Sequence, residues 1–486
     1  MTGEEGVRAS SGTESRSTLA GREGPPLPRT IWYMGVKARV IPGFLGRVLE
    51  EEVPPGGTVV DLMSGTGVVA AYCAHRYRVI ANDVQDYAAV IARGFIEHDP
   101  EEKAAFLGSV DTVKDLEDSY EANFRRLAAA FAPALTVEDV FLRAHERGED
   151  GSDWCAAYRS VLGDPDALHM PAAAKMISEE ALAACRADPR LRPARLATAY
   201  YANIYFGLRQ CLVIDSLRAA IEDMDARPPH AARKRVHYLS ALLHAASIST
   251  SGTSHFAQPR HLTKDSELRA MAKRRLIDIR ALFERFSGEI LATVRRTRHV
   301  RGNIALSNDC ESLMEEADGV SRFRFTPPVD LIYLDPPYTA DHYSRFYHVL
   351  EVLSRYDYPP LELDPRGECL RGRYPAFSSR YQSDFSRPGR VEDAFRQVIR
   401  AASGSGAKLI VSYASPSGLL LKQYAKRCPG RDPVDLLEAL CLEGYEEVHT
   451  LKKPMLHSGQ GEGGLRVNEL LVVCRGPRGW RAPPGA

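Results

Sequence analysis

The stretch VDLIYLDPPYTADHYSRFYHVLEVL, residues 329–353, decides how the chain is read. From Val329 to Leu334 it is apolar on both faces and partly β-branched. That pattern predicts a strand buried on both sides, as in a parallel sheet, rather than an alternating edge hairpin. Pro336 and Pro337 cannot donate ladder hydrogen bonds, so the strand must stop at Asp335. An Asp-Pro pair after a strand is often only a turn. At the carboxyl end of a parallel strand, however, it stands where open α/β sheets bind their ligands.

Working outward, TVVDLMSGTG (residues 58–67) predicts a buried strand from Thr58 to Leu62 that ends in a glycine-rich turn. VVAAYCAHR then reads as a helix, RVIAND as a strand and YAAVIARGFI as a second helix, a compact β-α-β-α order. Beyond residue 301 the alternation resumes with NIALSND, the quoted stretch, AKLIVSYASPSG, YEEVHTL and VNELLVVCR, the last two forming an antiparallel pair. The expected class is α/β, one sheet split by a long helical insertion. Its divisions are a disordered tail over 1–29, a first α/β part over 30–97, a mostly helical insertion over 98–301, a second α/β part over 302–475 and a disordered tail over 476–486.

Within the insertion, 145–172 reads as loop. ANIYFGLRQCLVIDSLRAAI reads as one amphipathic helix with Ile204, Leu208, Cys211, Ile214 and Leu217 along a stripe. Arg and Lys gather at 233–235, 273–275 and 295–298, either to meet phosphates or simply as solvated helix faces. The loop STSGTSHFAQPR offers Ser254, His255, Gln258 and Arg260 for the same task, or serves only as a connection. Near the carboxyl end, LHSGQGEGGLRVNELLVV reads as a loop entering a strand, with His457 and Arg466 as substrate contacts or as part of a solvated hairpin.

The chain has 486 residues, enough for two or three domains, and Lys+Arg and Asp+Glu both number 63, so net charge does not choose a partner. Nine cysteines without a C-x-x-C pair predict neither a disulfide framework nor a zinc site, and fit a reducing cytoplasm. No apolar run approaches the roughly 20 residues of a membrane span, and the first residues lack the apolar core of a signal peptide.

The chemistry is carried by two turns. Asp61, Gly65 and Gly67 lie where a strand becomes a helix, and glycines there let the backbone approach a ligand at the positive helix end. Asp83 closes the next strand roughly 20 residues on, where an acid binds ribose hydroxyls; the plainer reading is a tight turn with Asp83 capping a helix. NAD and S-adenosylmethionine both present an adenosine, but Asp61 would orient the glycine loop and receive an amino-acid end rather than a pyrophosphate. Asp309 ends another strand and either bonds an adenine amino group or caps a turn.

Asp-Pro-Pro-Tyr fits the same chemistry. An exocyclic base amine is a poor nucleophile because its lone pair is delocalised into the ring. It needs acceptors that draw it toward tetrahedral geometry. Asp335 supplies a carboxylate, Pro336 a carbonyl whose direction Pro337 helps to fix, and Tyr338 a ring for a purine to stack on. Positioning in a dry, aimed site supplies much of the rate.

WYMGVKARVIPGF, DLMSGTG, ND and DPPY, in that order, resemble the Dam-like alpha group of adenine-specific DNA methyltransferases. The resemblance implies a Rossmann-like S-adenosylmethionine-dependent methyltransferase sheet, with target recognition in the insertion. It also implies that Tyr33, Gly35, Lys37, Asp61, Gly65, Gly67, Asp83 and Asp309 hold the cofactor and that Asp335, Pro336, Pro337 and Tyr338 are catalytic. The family often has an aromatic in or before its glycine motif, where this chain has Leu62, Met63 and Ser64. The implied function is methylation of adenine N6 in duplex DNA, with the base flipped out and a restriction nuclease as a candidate partner. Two alternatives stay open: an adenine N6-methyltransferase of RNA, and a DNA-recognition subunit without its own activity.

Overall fold

The structure, a computed structural model, describes residues 27–28, 31, 37–149, 195–228, 230–251, 255–260, 265–326, 328–367, 369–457 and 465–479. Nine strands are present among these: β1 (Thr58–Asp61), β2 (Arg78–Asp83), β3 (Ile304–Ser307), β4 (Met314–Ala317), β5 (Val320–Phe323), β6 (Leu331–Leu334), β7 (Lys408–Ser415), β8 (Tyr445–His457) and β9 (Leu465–Pro477). Seven form one sheet in the order β3-β2-β1-β6-β7-β9-β8. The pairs from β3 to β7 are parallel, and β9 lies antiparallel between β7 and β8. The expected α/β class and the terminal antiparallel pair are both found.

The apolar reading of residues 329–334 has a direct cause. Successive residues of each central strand feed different cores: Val59, Leu331 and Tyr333 pack in one cluster, Val60, Ile332 and Leu334 in the other. With both faces covered, alternation disappears from the sequence. One face carries α1 (Gly46–Glu52), α2 (Val68–Cys73) and α3 (Asp86–Ile96), and the insertion helices Leu208–Asp223, Ala231–Ser249 and Ile279–Arg296 join that same core. The helices Val391–Gly404 and Val434–Gly444 cover the other face. Among the described residues no helix is long and apolar enough to cross a membrane.

Several local expectations are corrected. The helix read through residues 202–221 begins only at Leu208 and runs as Leu208–Asp223; residues 202–207, with Ile204 and with Asn203 at φ +60°, form a turn that follows a separate helix, Leu196–Tyr201. The second helix starts at Leu208 because Glu138 accepts hydrogen bonds from the amides of Leu208 and Arg209, both at 2.8 Å. Residues 150–172 of the expected loop lie outside the described residues, and 145–146 end a helix. Beyond the motif, Tyr347, at φ −120°, separates the short helix Tyr343–Phe346 from His348–Arg355. The hairpin β4–β5 was not foreseen, although its Asp318-Gly319 turn, with φ +56° and +75°, carries a hairpin signal.

The basic runs also sort differently from expectation. Arg233 pairs with Glu102 at 2.7 Å, Lys234 with Asp115 at 2.9 Å, and Arg235 donates to the Met224 carbonyl. Arg275 is buried and reaches the Asn203 side chain at 2.6 Å. These four groups are occupied inside the molecule. Arg295, Arg296 and Arg298 are exposed, but the Arg298 amide donates to His75 just after α2, beside the start of β2. That is the amino end of the parallel strands, opposite the end where ligands bind.

Candidate functional site

Six neighbouring strands each deliver one polar side chain to the carboxyl edge of the sheet. In spatial order these are Asp309 after β3, Asp83 at the end of β2, Asp61 at the end of β1, Asp335 after β6, Ser412 in β7 and Glu469 in β9. Strand β9 runs the other way, so its beginning reaches this edge; Glu469 pairs in register with Ala414, and Val411 with Leu334. One cavity is lined jointly by Asp61 through Thr66, Asp83, Asp309, Asp335 through Tyr338, and Lys37.

The glycine turn is held by the two acids at its ends. Asp61 Oδ2 accepts the Ala70 amide at 3.0 Å, while Asp83 Oδ2 accepts the Gly65 amide and Oδ1 the Gln85 amide, both at 2.9 Å. Gly65 and Gly67 have φ +50° and +70°, and a Cβ on Gly67 would lie 3.1 Å from Ala92 of α3. The third wall comes from Tyr381, whose hydroxyl donates to Asp309 Oδ1 at 2.9 Å. Three buried polar atoms on this cavity, Ser64 Oγ, Asn82 Oδ1 and Gln85 Oε1, have no hydrogen-bond partner among the described residues. A polar ligand would complete them.

Around Asp335 the packing is denser. Lys37 Nζ lies 2.9 Å from Asp335 Oδ1 and 3.3 Å from Glu469 Oε1, and donates to the Tyr338 hydroxyl at 2.6 Å. That hydroxyl lies 2.8 Å from Asp335 Oδ1, 3.0 Å from Glu469 Oε1 and 3.3 Å from Ser412 Oγ. The ammonium is nearer the hydroxyl than the ring centroid, at 4.6 Å, so its contact with Tyr338 is a hydrogen bond first and cation–π second. The Tyr338 ring meets Tyr413 edge to face at 5.1 Å. Both contacts to Asp335 fall on Oδ1, and Oδ2 takes no hydrogen bond from the described residues.

Burial dominates the acid–base properties. It lifts Asp61 well above the carboxylate range, helped by the nearby Asp335 charge, and raises Asp83 to about 6 against the pull of its amide donors. Asp335 is also pushed up to about 6, by burial first, with Lys37 opposing and Glu469 adding to the rise. Burial alone would depress Lys37, but its two carboxylate neighbours outweigh it and leave the ammonium more firmly protonated.

Of the expected site residues, Lys37, Asp61, Gly65, Asp83, Asp309, Asp335, Pro336, Pro337 and Tyr338 line this one cavity, and Gly67 closes the turn behind it. Tyr33 and Gly35 lie outside the described residues, as do Ser254 and the side chains of His457 and Arg466. Sequence reasoning missed Ser412, Glu469 and Tyr381. Glu469 did leave a signal, a lone acid within the apolar run VNELLVV.

Residues 33–146 match the family model of the D12 class N6 adenine-specific DNA methyltransferases. The family resemblance carried by the motifs is thereby borne out. The chain is also 22% identical over 448 residues, 91% of its length, to modification methylase LlaI of Lactococcus lactis subsp. lactis, covering 54% of that protein. It is 32% identical over 121 residues, 25% of its length, to type II methyltransferase M.FokI of Planomicrobium okeanokoites, covering 16% of that protein. The chain thus spans about half of the first relative and a smaller part of the second. No solved structure matches significantly.

Proposed function

We propose that this protein transfers a methyl group from S-adenosylmethionine to N6 of adenine in duplex DNA. The observation that carries the proposal is the single cavity in which the glycine turn and the Asp335–Tyr338 motif face each other. The cofactor, when bound, supplies an electrophilic methyl group on a positively charged sulfur. Asp61 and the glycine turn suit its amino-acid end, Asp83 its ribose hydroxyls and Asp309 its adenine.

Asp335 Oδ2 and the Pro336 carbonyl accept the two amine hydrogens, draw the nitrogen toward tetrahedral geometry and so localise its lone pair for attack on the methyl carbon. Tyr338, held through its hydroxyl, offers its ring to the purine. One N–H proton is surplus once the nitrogen carries the methyl group, and Asp335 is the base placed to take it. A base inside a duplex cannot reach this cavity, so the adenine must swing out.

The insertion over 98–301 is the proposed target-recognition region. Its segment 255–260 packs against the chain just after the motif: the Phe256 amide donates to the Phe346 carbonyl at 2.9 Å, and His255 lies 4.6 Å from the Phe346 ring. Lys273 and Arg274, exposed on the helix Asp265–Arg275, are the proposed phosphate contacts. The names of the two relatives, a modification methylase and a type II methyltransferase, support a role in DNA modification, and a partner restriction nuclease is part of this proposal.

The test is methylation with labelled cofactor of plasmid DNA and, separately, of total RNA, read by nucleoside mass spectrometry. N6-methyladenine from DNA, lost in Asp335→Ala, is expected. Product from RNA alone would overturn the substrate, and cofactor binding without product would favour a recognition subunit.

A further inference from the structure

The motif's acid does not stand alone with its lysine. Glu469 arrives from β9, two strands away from β6, and it is only 6% exposed. An acid at that depth in an apolar strand is costly unless its interactions give something back. Its Oε1 faces Lys37 at 3.3 Å and the Tyr338 hydroxyl at 3.0 Å, and it accepts from the Ser412 hydroxyl. Two carboxylates therefore share one ammonium and one phenol.

The phenol has one proton and two carboxylates within reach, so it satisfies Asp335 or Glu469 at any moment. Lys37, in contrast, has three N–H bonds and serves both acids and the phenol oxygen together. Without Glu469 the cluster would reduce to a neutral Lys37–Asp335 pair. A carboxylate fully matched by its own ammonium is a weaker acceptor for a third group. With Glu469 present the cluster keeps a net negative charge, and Asp335 Oδ2 is the oxygen it leaves uncommitted.

We propose that Glu469 is a positioning residue for the reaction at Asp335. By sharing Lys37 it prevents the lysine from neutralising the Asp335 carboxylate, and through Tyr338 it fixes the ring against which the target base lies. Ser412 seats Glu469 in turn. This inference rests on the methyltransferase reading above. The charged and titratable groups facing Asp335 are Lys37, Asp61 at the end of β1, Tyr333 in β6, Tyr338, Tyr343 after the motif, and Glu469.

Single-turnover methylation of adenine-containing duplex DNA across pH 5 to 9 tests it, comparing the full-length chain with Glu469→Gln and Ser412→Ala. Removing the acid should lower the single-turnover rate by about tenfold or more. The acid limb should also move down by about one pH unit, because a like charge beside Asp335 has gone. Affinity for the cofactor, read by calorimetry on the same samples, should change less than about twofold, since Glu469 does not line the cavity.

Ser412→Ala should give a smaller shift in the same direction, and it decides the matter if Glu469→Gln does not fold. An active wild type whose rate and acid limb are unchanged in both variants would overturn the role of Glu469 alone. A wild type that methylates no nucleic acid would overturn the underlying reading instead. A fall in rate without displacement of the limb would reduce Glu469 to a packing residue.

Discussion

In the proposed reaction Asp335 would act as the amine's carboxylate acceptor, a role that needs it ionised, and burial has moved that condition close to neutrality. With its carboxyl at about 6 in the free protein, kcat/KM should fall as pH drops below about 6, where the carboxylate takes up a proton and Oδ2 can no longer accept from the amine. A flat profile from pH 5 to 8 would contradict that role. Asp335→Asn should lose the limb and about 10²–10³ of the rate while still binding cofactor. At the turn, Gly67→Ala would force a Cβ to within 3.1 Å of Ala92 at φ +70°. The expected cost is about 1–2 kcal/mol, with weaker cofactor binding, measured by urea unfolding and calorimetry.

At the scale of elements, a buried carboxylate joins the insertion to the chain beyond the motif. Asp215, fully buried, accepts the Ala197 and Thr198 amides, each at 2.8 Å, the Thr198 hydroxyl at 2.6 Å, and the Tyr356 hydroxyl from the chain beyond the motif. Asp215→Ala would orphan several buried donors at once and should cost about 3–5 kcal/mol, seen as a lower melting temperature. An unchanged melting temperature would show the network to be dispensable. This junction also shows what the sequence could and could not reveal. Residues 58–67 and 329–338 were legible because a strand buried on both faces, a glycine turn and a double proline are local signals. The break at 202–207 was not, because the cap that starts the next helix is Glu138, some 70 residues away. The run at 233–235 looked like a phosphate contact because its partners, Glu102 and Asp115, come from distant helices. Glu469 was visible as an anomaly, but only the order of β6, β7 and β9 shows what it faces.

Across the whole molecule, two sets of buried groups respond to acid in opposite directions. His98, His237, His244 and His299 lie where α3, the helices at 231–249 and 279–296 and the segment after them meet, and burial lowers them to about 4, 3, 4 and 4. Each keeps one ring nitrogen without a partner among the described residues. Because these values lie below the ordinary histidine value, the unfolded chain binds more protons from about pH 6.5 down to 4. Each group then withdraws up to about 1.4 kcal/mol per pH unit as pH falls. Asp83 and Asp335, both at about 6, and Glu351, at about 7, do the reverse: the folded form binds protons first, so acid relieves their burial. The first set sits between helices and the second at or beside the sheet edge. Hydrogen exchange, corrected for intrinsic rate, should therefore accelerate in 231–249 and 279–296 between pH 6.5 and 4.5, while amides 65 and 70 stay protected. Uniform loss of protection would contradict this division.

The row of acids along the strand ends also bears on the order in which partners arrive. Four acids, Asp309, Asp83, Asp61 and Asp335, line the cavity at that edge together with Lys37; Glu469 stands behind Asp335, and burial holds Asp61 well above its ordinary value. A cationic ligand bound among these acids leaves the cavity less negative toward a polyanion that follows it. Binding of the first should thus strengthen binding of the second, and the linkage must be equal in both directions. Duplex DNA should bind about two- to fivefold more tightly with a positively charged cofactor analogue than with the neutral thioether product, and the gap should close as salt is raised. The charge that makes the methyl group transferable would then also announce that the cavity is loaded, and its loss on transfer would loosen the DNA.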